Sequence, residues 1–149
     1  MRPTLSGVSI RSAVAGYSGT PLVKKLGIKE GHAVLLLDAP DGFDATLGAL
    51  PLGVDVRTTL RSRGPFDVIV CFTKSRAKIL ASFDKLHARM KPACGLWFCW
   101  PKKASKVPTD VTEDVIRNIA LEKGLVDNKV CAVDQVWSGL RVVIRRENR

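Results

Sequence analysis

The first sustained apolar run of the chain is AVLLLD, residues 33–38. A strand without polar alternation is one covered on both faces, as in a parallel sheet. DVIVCF (67–72) and CGLWFCW (94–100) have the same character, whereas VDVRTTL (54–60) alternates and predicts a more exposed strand. Between these runs the period changes to that of a helix. Ile79, Leu80, Phe83, Leu86 and Met90 form one apolar stripe behind Ser75, an N-cap residue, and Pro92 lies beyond its end. Thr112 opens a second helix, with Glu113 and Asp114 near its positive end and Val115, Ile116, Ile119 and Ala120 facing inward up to Gly124. Two shorter helices are predicted, one capped by Thr20 with Pro21 in its first turn and Gly27 as its stop, the other over 43–50 and ended by Pro51. KVCAVDQV and LRVVIRR alternate around Trp137-Ser138-Gly139 and predict an antiparallel hairpin that turns there.

The order is helix, strand, helix, strand, strand, helix, strand, helix, hairpin. Alternation of this kind predicts an α/β protein: a three-layer, Rossmann-like sandwich whose mainly parallel sheet ends in a C-terminal antiparallel hairpin. One junction is awkward. Parallel neighbours need a crossover of about a dozen residues or more, yet only RSRGPF joins the second strand to the third. Either that loop passes beneath the first strand or the second strand is irregular. Residues 1–16 show no period and are read as a flexible arm before a single domain at 17–149.

A chain of 149 residues buries roughly 70% of the surface its unfolded form exposes, which is enough for a core without staples. No apolar run approaches the roughly 20 residues of a membrane span, and the N-terminus lacks the apolar segment of a secretory signal. The expectation is a cytoplasmic protein without integral membrane association. Cys71, Cys94, Cys99 and Cys131 lie in or beside apolar runs and read as small core hydrophobes, with Cys94 and Cys99 on opposite faces of one strand. With only His32 and His87 elsewhere, no metal site is predicted.

The net charge of +10 is unevenly spread. Residues 1–29 hold no acid, and 74–91 carry Lys74, Arg76, Lys78, Lys85, Arg89 and Lys91 against Asp84 alone. Such a field attracts polyanions.

The closing segment TEDVIRNIALEKGLVDNKVCAVDQVWSGLRVVIRR, a helix followed by a hairpin, resembles in architecture the end of a shortened class I S-adenosylmethionine-dependent methyltransferase fold. In addition GYSGTPL, FDVIVCF with Ser75-Arg76-Ala77, LWFCWPKKAS and VCAVDQVWSGL resemble segments of a family of small bacterial proteins of unknown function, over roughly residues 16–145. The first resemblance implies a cofactor cradle after the first strand, an acid after the second and an Asp-or-Asn, Pro-Pro, aromatic sequence after the third. Here those places read Asp38-Ala39-Pro40-Asp41, Thr58-Thr59-Leu60-Arg61 and Phe72-Thr73-Lys74-Ser75. Asp38 supplies an acid, but Pro40 has no N–H to donate and the first glycine comes only at Gly42. The expectation is therefore no cofactor, with S-adenosylmethionine disfavoured.

Ligands of open α/β sheets bind beyond the carboxyl ends of the strands. This chain places Asp38, then Thr73, Lys74, Ser75 and Arg76, then Trp100, Lys102 and Lys103 there. Ser75 opens a helix whose free N–H groups favour an anion, and Trp100 offers a stacking face. Tyr17, Ser18 and Gly19 form a secondary candidate, a backbone nest. No Ser-His-acid set is present. The leading reading is a non-catalytic binding or regulatory module for an anionic ligand, a nucleotide or nucleic acid. The alternatives are a divergent S-adenosylmethionine-dependent methyltransferase and a protein-interaction module with a basic surface. The oligomeric state is not set by the sequence.

Overall fold

The computed structural model describes residues 19–149; the arm at 1–16 and the candidates Tyr17 and Ser18 lie outside them. The three apolar runs become β1 (Ala33–Leu37), β3 (Phe66–Phe72) and β4 (Met90–Pro101), and they lie side by side in the middle of the sheet. With β2 (Asp55–Arg57), β5 (Leu125–Ala132) and β6 (Trp137–Ile144) they form one six-stranded sheet in the order β2-β1-β3-β4-β6-β5. β2, β1, β3 and β4 are parallel, and β6 runs antiparallel between β4 and β5. The predicted class, a Rossmann-like α/β sandwich with a closing antiparallel hairpin, is the one observed.

Alternation along the central strands feeds two cores. Leu35, Ile69, Leu96 and Phe98 face α3 (Arg76–Ala88) and α4 (Glu113–Glu122), where Phe83 stacks on Phe98 at 5.8 Å between ring centroids. Val34, Val68, Val70 and Trp97 face α1 (Leu22–Leu26) and α2 (Phe43–Leu47), and the Trp97 Nε1–H donates to the Leu26 carbonyl at 3.1 Å. Cys94 belongs to the first core and Cys99 to the second, as their odd spacing requires.

Local capping chemistry explains the helix ends. The hydroxyls of Ser75 and Thr112 accept from the N–H groups of Lys78 and Val115, as their residue types predict. At α1 the cap position belongs to Pro21 rather than Thr20, because Pro21 is extended (ψ 144) and makes no side-chain cap. α2 stops at Leu47, since Gly48 leaves the helix with φ +80 before Pro51 is reached. Met90 does not close the stripe of α3 but begins β4, and Leu80 is 38% exposed. The hairpin turn also differs from expectation. It falls at Val133–Val136, where the Asp134 carboxylate accepts from the N–H groups of Val136 and Trp137, each at 2.8 Å. Trp137, Ser138 and Gly139 lie inside β6.

The awkward junction resolves in a specific way. β2 is only three residues long and sits at the sheet edge, so the chain must cross β1 to reach β3. Residues 58–65 make that crossing without a helix, with Leu60 packed on the α3 side. Arg89, at the end of α3, holds the loop in place. Its Nε donates to the Ser62 carbonyl at 3.2 Å, one terminal nitrogen to Leu60 at 2.9 Å and the other to Lys85 at 3.0 Å. Arg89→Ala is expected to cost about 2 kcal/mol in urea unfolding, the range for hydrogen bonds from a charged group. Arg89→Lys, which lacks the fork, should recover less than half of that loss.

Asp67 ties the foot of the sheet. Its carboxylate accepts from the Ala33 N–H at 2.8 Å and lies 3.0 Å from the Lys91 ammonium. Burial by itself raises this carboxyl, but the Ala33 and Lys91 hydrogen bonds, with the charges of His32 and Lys91, outweigh it and leave the pKa below the ordinary value. A carboxyl lowered on folding contributes stability that is complete above its unfolded pKa of about 4 and is lost as pH falls through the folded value. Asp67→Asn should therefore lower the melting temperature at pH 7 and flatten its decline below pH 4.

Candidate functional site

The carboxyl ends of β1, β2 and β3 do not close against one another. They enclose a cavity of about 480 Å3, walled by Leu37, Asp38, Thr58, Thr59, Phe72 and Thr73 from the strand ends and by Leu60, Lys78 and Ile79 from the crossover and α3. The cavity arises because the crossing from β2 to β3 is a thin loop. Small-molecule sites fall in the range of about 300–1,000 Å3.

Asp38 leaves β1 in the left-handed region, φ +57. Asp and Asn tolerate that conformation better than other non-glycine residues, so Asp38 turns the chain where a glycine is expected and adds a charge. Its carboxylate has no hydrogen bond or ion pair among the described residues, nor does the Lys78 ammonium. The hydroxyls of Thr58 and Thr59 are equally unengaged. Cys71 completes the wall. Burial, then the neighbouring Asp38 charge, pushes its thiol up to about 12, so it stays protonated at neutral pH and is a nonpolar surface rather than a nucleophile.

The cationic candidates are arranged differently. Thr73 enters the cavity wall, but its hydroxyl is committed, accepting from the Ser75 N–H at 3.1 Å and donating to the Ser75 carbonyl at 3.2 Å. The start of α3 was expected to present free N–H groups to an anion. Instead Ser75 Oγ receives the Lys78 N–H, and the carboxylate of Asp110 receives the Arg76 N–H at 2.7 Å. The protein thus places its own carboxylate where an external anion was expected. The side chains of Lys74 and Arg76 are exposed beside this cap.

On the neighbouring strand, Trp100 is 8% exposed and packed in the core under α3 and α4, so it offers no face for stacking. Lys102 turns its ammonium to the Asp134 carbonyl at 2.7 Å and pins the hairpin turn, while Lys103 is exposed on a short 3-10 turn. Gly19 lines a separate cavity of about 260 Å3 with Pro21, Thr46 and Val133. Of the residues singled out by sequence, the structure brings Asp38 and Thr73 into one cavity, sets Lys74, Ser75 and Arg76 just beyond it, and leaves Trp100, Lys102, Lys103 and Gly19 elsewhere. Sequence reasoning placed Thr58, Thr59 and Leu60 after the second strand but gave them no binding role, and it missed Lys78 and Ile79 as wall residues. The first three carried a strand-like alternation that concealed a wall. Among the described residues no group of His, Cys, Asp or Glu is placed to hold a metal ion, and no helix is long and apolar enough to cross a membrane.

No family model matches the sequence, and no curated protein does. Solved structures do match. A SAM-dependent methyltransferase from Aquifex aeolicus is similar with a TM-score of 0.61 at 18% identity, over 83% of this chain and 88% of that one. A ribosomal protein L11 methylase from Lactobacillus delbrueckii subsp. bulgaricus gives 0.55 at 14% identity, over 83% and 75%. Magnesium protoporphyrin IX methyltransferase from Synechocystis PCC 6803, solved with SAH bound, gives 0.51 at 12% identity, over 83% and 78%. These likenesses overturn the expectation of no cofactor, because proteins of this architecture are solved with SAM or SAH bound. At such identities what is shared is the fold, and it is that of the class I S-adenosylmethionine-dependent methyltransferases in a shortened form.

Proposed function

We propose that the chain binds S-adenosylmethionine in the cavity above β1, β2 and β3, as a divergent methyltransferase. The observation that carries this reading is the content of one cavity. An acid, Asp38, and a cation, Lys78, each unpaired among the described residues, meet there within about 480 Å3 with two hydroxyls unengaged among those residues and with apolar walls. The amino-acid end of S-adenosylmethionine carries an ammonium and a carboxylate, its sulfonium is positive, its ribose has two hydroxyls and its base is a flat ring with apolar faces. Each has a counterpart in the cavity. Asp38 would take the ammonium or sulfonium, Lys78 the carboxylate, Thr58 and Thr59 the ribose, and Leu37, Leu60, Phe72 and Ile79 the base.

The departures from the usual cradle fall into place on this reading. Ala39 and Pro40 give little backbone to approach, and Pro40 has no N–H. Recognition has moved from backbone to side chains.

Bound there, the group supplies an electrophilic methyl on a sulfonium. The protein's part is orientation and exclusion of water by the apolar wall. The protonated Cys71 does not compete as a methyl acceptor. The exposed cations Lys74 and Arg76 just beyond the cavity favour an anionic acceptor, a nucleotide or nucleic acid. The affinity of such an acceptor should fall steeply with added salt, and a salt-independent affinity would exclude it.

A thermal-shift titration with S-adenosylmethionine and S-adenosylhomocysteine tests the cofactor reading. A ligand at 100 times its dissociation constant stabilises by about 2.7 kcal/mol, which raises the melting temperature of a chain this size by about 10 °C. Asp38→Gly relieves the left-handed backbone while removing the carboxylate. It should keep the unliganded melting temperature and weaken binding about tenfold, or about 1.4 kcal/mol. No shift with either compound overturns the reading.

A further inference from the structure

Most of the partly buried cations of this molecule have visible partners. Arg117 holds Glu113, Asp114 and Asp127, Lys91 holds Asp67, Lys123 holds Asp84, and Arg89 and Lys102 are satisfied by carbonyls. Among the described residues Arg141 has no carboxylate and no main-chain carbonyl partner. It lies on β6 between Leu140 and Val142, which both point into the core under α3 and α4, so its own side chain projects from the opposite face. There the guanidinium covers Gly95 of β4. A Cβ at Gly95 would stand 2.2 Å from its Nε, so a larger residue there would displace the guanidinium from this position. Its one side-chain hydrogen bond among the described residues goes to Asn128 Oδ1 at 3.3 Å, and no carboxylate is within ion-pair distance.

A half-buried charge without a counterion is costly. Burial already depresses the guanidinium's pKa below its ordinary value. The surroundings deepen the imbalance. Lys129 stands opposite Arg141 in register with its ammonium donating to the Lys25 carbonyl at 3.3 Å, and the Arg149 charge acts on Arg141 as well. The nearest acid along β5, Asp127, is taken by Arg117.

We propose that Arg141, with Asn128 and Lys129, forms a binding site for a phosphate group on the α1/α2 face of the sheet. A planar fork with unused donors matches the oxygens of a phosphate or carboxylate, and three cations around one position favour the more highly charged of the two. The site is separate from the cavity at the strand ends. Gly95 lies six residues before the end of β4, roughly 20 Å along the strand, and on the other face from α3. It therefore stands whether or not the cavity binds S-adenosylmethionine. The phosphate comes either from a small phosphate-bearing molecule or from a nucleic-acid backbone.

The Nε–H resonance of Arg141, followed by NMR in the full chain, reads the site directly. Inorganic phosphate and an eight-nucleotide single-stranded DNA are the two probes, with sodium chloride at matched ionic strength as the control. A saturable shift with either probe is expected. Phosphate alone would identify a small ligand, and DNA alone, or DNA far more tightly, a backbone. Arg141→Gln should weaken binding of the active probe about tenfold, while Arg61→Gln, which removes one charge from the crossover loop, should leave it within about twofold. A resonance that moves with neither probe, or equally with chloride, overturns the proposal. So does an affinity unchanged in a folded Arg141→Gln protein. If that variant does not fold, the wild-type resonance still decides.

Discussion

The crossing from β2 to β3 constrains everything above it. The chain leaves an edge strand at the top of the sheet and must re-enter beside β1 at the bottom, and residues 58–65 are all it has for the purpose. A helix would fill the face beside α3; a loop cannot. The loop carries its own unpaired carbonyls across that face, and buried backbone polar groups must find partners. Arg89 supplies them from the end of α3. The thin crossing leaves a hollow beneath the strand ends, and its wall is made of the first residues of the loop.

That hollow is lined largely by side chains. A glycine-rich turn offers N–H groups and close approach; Asp38-Ala39-Pro40 offers a carboxylate and a fixed angle. The left-handed φ of Asp38 shows that the turn is as tight as a glycine would make it. The turn combines a glycine's conformation with a carboxylate's charge.

How much of this was legible follows from the range of each interaction. β1, β3 and β4 were legible because burial on both faces leaves an unbroken apolar run. The caps at Ser75 and Thr112 were legible because the bond closes within three residues. The hairpin turn was misplaced because Ser138-Gly139 resembles a turn. Gly139 is in fact glycine for packing: a Cβ there would lie 3.1 Å from the Trp97 ring and 3.2 Å from the Cys99 sulfur. The turn itself is made by one side chain, Asp134. The pairing of Arg76 with Asp110 joins positions 34 apart, and that of Arg89 with Leu60 joins positions 29 apart. Neither leaves a local pattern. The left-handed turn at Asp38 was not legible, because an acid in a glycine's conformation does not announce itself in a sequence.

The Asp110 carboxylate at the head of α3 has one more consequence. It is a resident tenant of a socket that many α/β proteins leave to phosphates, tethered on a separate loop and held through the Arg76 amide and the Thr109–Lys74 contact. Any visiting anion must evict it before reaching the helix, which biases selectivity at this rim toward ligands that bypass the helix end altogether. A single change of Asp110 to a neutral residue would vacate the socket, placing a different ligand chemistry one mutational step from the present one.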